Sequence, residues 1–145
     1  GKTTADVADW GYLTQKGKRV YNARSETLLE KPLFGKDFVQ NRCVIPVTGF
    51  CEWDGDGTGW DFLPQEEEML YLAGVCRKKA EGWEATVVTE HASGCVGEIH
   101  HRTPLILSGE NLRQWLYDEA QARQFLEEAK ERVLLKRKKM EGETL

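Results

Sequence analysis

Two stretches, Met69–Cys76 (MLYLAGVC) and Trp83–Glu90 (WEATVVTE), decide how this chain folds. Both are short apolar runs rich in β-branched or bulky side chains, too short for a typical helix and bounded by polar residues, so they read as strands. Lys78–Gly82 between them is charged and ends in glycine, the composition of a hairpin turn. Upstream, Arg42–Val47 (RCVIPV) and Gly49–Trp53 (GFCEW) read as strands broken near Pro46 and Gly49. Lys18–Ala23 (KRVYNA) reads as a strand leading into a polar turn, and Lys36–Asn41 as a short helix after Pro32. Downstream, Thr103–Leu107 (TPLIL) is one more strand, and then the period changes. Over Glu110–Tyr117, Leu112, Trp115 and Leu116 share a helical face. Asp118 can cap a second helix with Gln121 as its capping-box partner. Ala122, Phe125, Leu126, Ala129 and Val133 form the apolar stripe of that helix. The last stretch, LLKRKKMEGETL, carries a basic cluster and is expected to fray. Strands followed by helices predict an α+β fold: a mainly antiparallel β-sheet or open barrel with C-terminal helices. One domain spans 1–145, with 118–145 as its C-terminal helix and basic tail.

The composition agrees with a folded domain. Of 145 residues, 40% are hydrophobic and 30% charged, with five Trp, five Phe and four Tyr, too many aromatics for a disordered chain. No apolar run approaches the ~18–20 residues that span a bilayer, and Gly1–Trp10 holds no signal-peptide core. A net charge of −4 excludes a uniformly basic nucleic-acid coat but leaves room for a local basic groove. Cys43, Cys51, Cys76 and Cys95 lie far apart with no C-x-x-C, which argues against zinc and for reduced thiols in an intracellular protein. Asp54–Gly59 (DGDGTG) opens like a calcium loop. The twelfth position is Gln65, however, and Glu66 falls one place late. Neither a metal nor any other cofactor is expected.

Three polar clusters sit where strands end. Asn22–Thr27 (NARSET) offers a carboxamide, a guanidinium and a carboxylate, enough to bind a phosphate and orient a nucleophile, or simply to make a turn with a local ion pair. In Gly49–Trp53, Glu52 lies between apolar residues. Burial there would raise its pKa toward that of a proton shuttle, whereas strand alternation could instead point it to solvent. Ile99–Pro104 (IHHRTP) supplies the histidines, which exchange protons near neutral pH. On an extended segment His100 and His101 would face opposite ways, so only one could line a pocket, and Arg102 would share the face of His100.

Taken in order, these pieces resemble the SRAP family, the SOS-response-associated peptidase domain. The resemblance rests on Trp10-Gly11, Asn22–Thr27, Arg42–Pro46, Gly49-Phe50, Glu52-Trp53, Ala73-Gly74-Val75, Thr89 with Ala92-Ser93, Ile99-His100, Arg102, Pro104 and Trp115-Leu116. It implies a protein that recognises abasic sites in single-stranded DNA and crosslinks to them. An N-terminal Cys would supply an amine and a thiol that close a thiazolidine on the sugar aldehyde. Asn22 would then hold that amine, Glu52 would shuttle protons, and His100 would assist sugar ring opening. Arg24 and Arg102 would grip phosphates, with Trp10 and Thr89 lining the DNA path. It also implies a monomer with no membrane contact, in the bacterial cytoplasm at the nucleoid or, in a eukaryote, in the nucleus. The departures are that the first residue is Gly1, that nine residues precede Trp10 where the family has several dozen, and that Cys51, Thr103 and Val47 replace the usual aromatic, Met and Ala. The sequence therefore keeps two alternatives open: a catalytically impaired single-stranded-DNA-binding module, or a thiol autopeptidase that removes its own N-terminus.

Overall fold

A computed structural model describes residues 3–128 and 133–140. The chain runs β1 (Ala8–Trp10), β2 (Tyr12–Leu13), β3 (Arg19–Val20), β4 (Asn22–Arg24), a 3-10 turn (Leu28–Glu30), α1 (Gly35–Gln40), β5 (Arg42–Val47), β6 (Phe50–Trp53) and β7 (Gly59–Leu63). It continues with β8 (Leu70–Lys78), β9 (Trp83–His91), α2 (Gly94–Gly97), β10 (Arg102–Pro104), β11 (Ile106–Leu107), α3 (Leu112–Tyr117), α4 (Glu119–Glu127) and β12 (Leu135–Lys138).

The β8–β9 hairpin is the spine of a seven-stranded sheet. Its strands read as continuous apolar runs because both of its faces are covered. On one face Ala73, Val75 and Val88 pack with Phe38, Trp115, Ala122, Phe125 and Leu126 from the helices. On the other, Leu70, Leu72 and Val87 pack with Ile106, Ile45 and Phe50. Phe50 comes from a second sheet, β12-β7-β6, and its ring stacks on that of Phe62 at 5.2 Å. The fold is therefore α+β and mainly antiparallel, and the described strands do not close into a barrel. Two pairings run parallel: β1 and β4 both dock on β9, with Trp10 opposite Ala85 and Arg24 opposite Thr89.

Two glycines are dictated by the packing. A Cβ on Gly74 would meet the Thr86 carbonyl oxygen at 2.9 Å and Cys43 Sγ at 3.0 Å, so the centre of the sheet has no room for one. Gly11 takes φ 101°, a conformation costly for other residues, and leaves space for the Tyr21 ring. Asp118 caps α4 as its position suggests: its Oδ1 accepts from the Gln121 N–H at 3.1 Å. Ala129 lies outside the described residues, and Val133 is exposed rather than part of the helical stripe. The basic end, expected to fray, instead forms β12 antiparallel to β7. Lys136 reaches Glu98 at 2.8 Å and lies over the Trp60 ring, and Arg137 pairs with Asp61, so its cations find partners within the fold.

Glu84 is 3% exposed and receives Arg77 Nε at 2.9 Å, Arg19 Nη1 at 3.2 Å and the Leu13 N–H at 3.3 Å. Burial pushes its carboxyl pKa up, but Arg77 and the other donors outweigh it and hold the group below the ordinary glutamate value. A lowered folded pKa stabilises the protein above the unfolded value, about 4.3, and that contribution is lost as pH falls through the folded value. Denaturant melts from pH 6 to pH 3 should show stability dropping on the acid side. Glu84→Gln should be less stable at pH 6 and flatter across the range; an unchanged acid slope would contradict this.

Candidate active site

The site forms where the face of the main sheet carrying Val87 meets the small sheet. Strand β6 places Phe50 and Glu52 on the same side by alternation, with the partly buried Phe50 packed against the cluster that holds Val87 and Leu72. This carries Glu52 to the rim of the core, with about a quarter of its side chain exposed. Burial raises the Glu52 carboxyl above its ordinary pKa, and a charge on His100 acts in the opposite direction. Glu52 is therefore half-buried, not pointed fully to solvent as strand alternation alone would allow.

His100 approaches from the segment after α2, whose turn is held by its own N–H donating to Val96 O at 2.9 Å. Its Nε2 lies 3.7 Å from Glu52 Oε2. Its Nδ1 lies 3.2 Å from both the N–H and the carbonyl oxygen of Arg102. Either tautomer is satisfied there, since Nδ1 can accept from the N–H or donate to the carbonyl. The ring can thus present either a proton or a lone pair to Glu52, which is what an acid–base relay requires.

His101 does not diverge from His100. Their rings lie 4.5 Å apart, tilted by 33°. The expectation of opposite faces fails because both residues precede β10, in a bent segment without strand alternation.

Arg102 is turned inward. Its Nη1 and Nη2 fork onto Glu26 Oε1 and Oε2, each at 3.0 Å, and Nη2 also donates to Thr89 O at 2.9 Å and Thr89 Oγ1 at 3.1 Å. Burial pushes the Glu26 carboxyl up, but the Arg102 fork and the nearby backbone and Ser25 donors bring it below the ordinary range. His91 Nε2 lies 3.7 Å from Glu26 Oε1. The sequence reading did not single out His91. Its signal was positional, since it stands opposite Arg102 in the β9–β10 register.

Trp10, Asn22 and Arg24 line one edge of β9, opposite Ala85, Val87 and Thr89. Alternate residues of a strand share a face, so all three project on the side of Val87 and the small sheet. The row spans four residue steps along β9, roughly 13 Å at about 3.3 Å per residue. All three are exposed. Trp10 Nε1 donates to Tyr21 O at 3.0 Å. Among the described residues, the Asn22 carboxamide makes no side-chain hydrogen bond and Arg24 no ion pair. The structure thus joins Glu52 and His100 directly and places Asn22 on the same side of the sheet without a contact to them. Cys51, Glu52's neighbour in sequence, faces the other way. No group of three or more His, Cys, Asp or Glu among the described residues could hold a metal ion.

The sequence profile of the SOS response associated peptidase (SRAP) family matches residues 1–141. This chain belongs to the SRAP family. The SRAP chain is 32% identical over 119 residues to abasic site processing protein YoqW of Bacillus subtilis, covering 76% of this chain and 53% of that protein. It is 34% identical over 124 residues to abasic site processing protein HMCES of Gallus gallus, covering 66% and 37%. The chain spans about half the length of the bacterial relatives it matches. A solved protein from Bordetella bronchiseptica shares the fold at a TM-score of 0.78 and 23% identity, covering 92% of this chain and 76% of that one. One from Bacteroides thetaiotaomicron matches at a TM-score of 0.64 and 27% identity, covering 72% and 52%. No described helix is long and apolar enough to cross a membrane.

Proposed function

We propose that this SRAP chain processes abasic sites in single-stranded DNA, with Glu52 and His100 as its acid–base pair. The observation that carries the reading is the 3.7 Å approach of His100 Nε2 to a carboxylate raised by burial, in a family whose relatives are named for abasic-site processing. An abasic sugar equilibrates between a closed ring and an open aldehyde. Ring opening needs one proton taken from the anomeric hydroxyl and one given to the ring oxygen, and two facing acid–base groups can exchange them. Where the mature protein begins with Cys, its amine condenses with the aldehyde, water leaves, and the thiol adds to the imine carbon to close a thiazolidine. Asn22, with a free carboxamide on the same side of the sheet, would hold the amine. Arg102 would act from within, fixing Glu26, Thr89 and the backbone that seats His100. Arg24 would meet a phosphate and Trp10 an exposed base, a cation and an aromatic spaced along one edge as single strands require.

The test is a denaturing gel of abasic single-stranded DNA without reductant. A version of the chain whose mature form begins with Cys should give a heat-stable adduct. The chain beginning at Gly1 should give at most a reversible imine and strand cleavage. A heat-stable adduct from the Gly1 chain would overturn the assigned nucleophile. A further expected result concerns Arg24→Ala: affinity for single-stranded DNA should fall across sequences, and the slope of log K against log salt should flatten by about one unit or less. An unchanged slope would remove Arg24 from the DNA path.

A further inference from the structure

Strand alternation turns Cys51 onto the face of the small sheet opposite Glu52. Its Sγ donates to Asp61 Oδ1 at 2.9 Å, and Lys139 Nζ donates to that Sγ at 3.4 Å. Lys139 Nζ also lies 3.6 Å from Asp61 Oδ1, and Arg137 Nη2 lies 3.3 Å from Asp61 Oδ2. Asp61 is fully buried, while Cys51 and Lys139 keep partial access to solvent. A thiol, an amine and a buried carboxylate therefore meet at one point reachable by a small molecule, supplied by β6, β7 and the residue just after β12.

We propose that Cys51 and Lys139 form a trap for small aldehydes, which bridges the two side chains through a single carbon. The neutral Lys139 amine adds to the carbonyl carbon, and the carbinolamine takes up a proton from solvent and loses water to give an iminium ion. The Cys51 sulfur then attacks that carbon, and its proton passes to Asp61, the oxygen it already faces. The product is Nζ–CHR–Sγ. One C–N and one C–S bond form, the C=O bond is lost as water, and no oxidant or reductant is needed. A rotation of the flexible lysine stem is enough to close the remaining distance between nitrogen and sulfur. The bridge would pin the end of β12 to β6 across β7.

Small aldehydes are favoured over the abasic sugar because the thiol points away from the Glu52–His100 cleft and is half covered by Lys139. The inference is independent of the function proposed above. Among the described residues, the titratable groups in contact with Lys139 are Cys51 on β6 and Asp61 on β7, and Asp61 also pairs with Arg137 on β12. Burial works against the charge on Lys139, but the Cys51 and Asp61 contacts prevail and raise its pKa. Burial and Asp61 raise the Cys51 thiol. Bridging should therefore accelerate as pH rises from about 7 toward the ordinary lysine value of about 10.4.

The experiment exposes the protein to formaldehyde and maps its peptides by mass spectrometry. The expected product is a Cys51–Lys139 crosslink heavier by one carbon atom, formaldehyde in and water out. It should be lost in Cys51→Ser and in Lys139→Arg, which keeps a cation beside Asp61, and retained in Lys138→Arg. Intrinsic tryptophan fluorescence checks that each variant is folded. Absence of the crosslink, bridges from Cys51 spread equally over other lysines, or its survival in Lys139→Arg would each overturn the proposal. A second arm replaces formaldehyde with abasic single-stranded DNA. A DNA adduct lost in Cys51→Ser would overturn the restriction to small aldehydes.

Discussion

Glu52→Gln should slow adduct formation with abasic single-stranded DNA by about 10²–10⁴-fold, the range for loss of a positioned acid–base group. Glutamine keeps the shape of the side chain but can neither take nor give the proton that His100 passes. The same substitution should leave the protein as stable or more stable near neutral pH. Burial raises the folded pKa of Glu52, so the ionised carboxylate is a liability above its unfolded value, about 4.3, and a neutral amide removes that liability. The pH profile adds a third readout. With Glu52 as the acid, the rate falls as pH rises through its raised pKa, and in Glu52→Gln that fall disappears. A variant that kept the parent rate and profile would remove Glu52 from the chemistry, whatever its distance to His100.

Trp115→Ala should cost about 3–5 kcal/mol of folding stability, the range for deleting a large core aromatic, and lower Tm by roughly 10 °C or more. Trp115 is fully buried. Its ring meets Phe38 edge-on at 5.8 Å, and its Nε1 donates to Cys43 O at 2.9 Å. Its carbonyl oxygen accepts from Arg42 Nε, and Arg42 also binds Phe38 O. One side chain thus joins α3, α1 and β5 beneath the sheet. Trp115→Phe should recover much of the packing but orphan the Cys43 carbonyl, giving an intermediate loss. Calorimetry decides, and a change under 1 kcal/mol for Trp115→Ala would mean that the helical layer repacks freely.

The β8–β9 hairpin, β5, β6, α1 and α3 are legible in the sequence, whereas β1, β7 and β12 are not. β5 matches RCVIPV residue for residue, and β8 and β9, buried on both faces, match their apolar runs to within two residues. Ala8–Trp10 carried no readable pattern, since three exposed residues have no periodicity; only the free edge of β9 makes them a strand. β12 was misread because lysines usually mark a solvated end, and the acidic groups that pair with them lie about forty to seventy-five residues upstream. In the site, the Glu52–His100 approach was anticipated through the ordered motifs of a family and not through spacing, since the two lie on separate elements. The inward turn of Arg102 is not readable, because an arginine forked onto a glutamate distant in sequence looks there like one reaching for phosphate.

The parallel docking of β1 and β4 on β9 also sets an order of events during synthesis. Ala8 pairs with Trp83 and Arg24 with Thr89, so the first strands leave the ribosome with no partner made. At about 5–20 residues per second they wait several seconds for β9. Trp10, Asn22 and Arg24 can line up only once β9 is in place, so the row assigned to DNA takes shape long after its own residues have been made. Pulse-labelling hydrogen exchange during refolding should therefore protect the amides of β8 and β9 before those of β1 and β4.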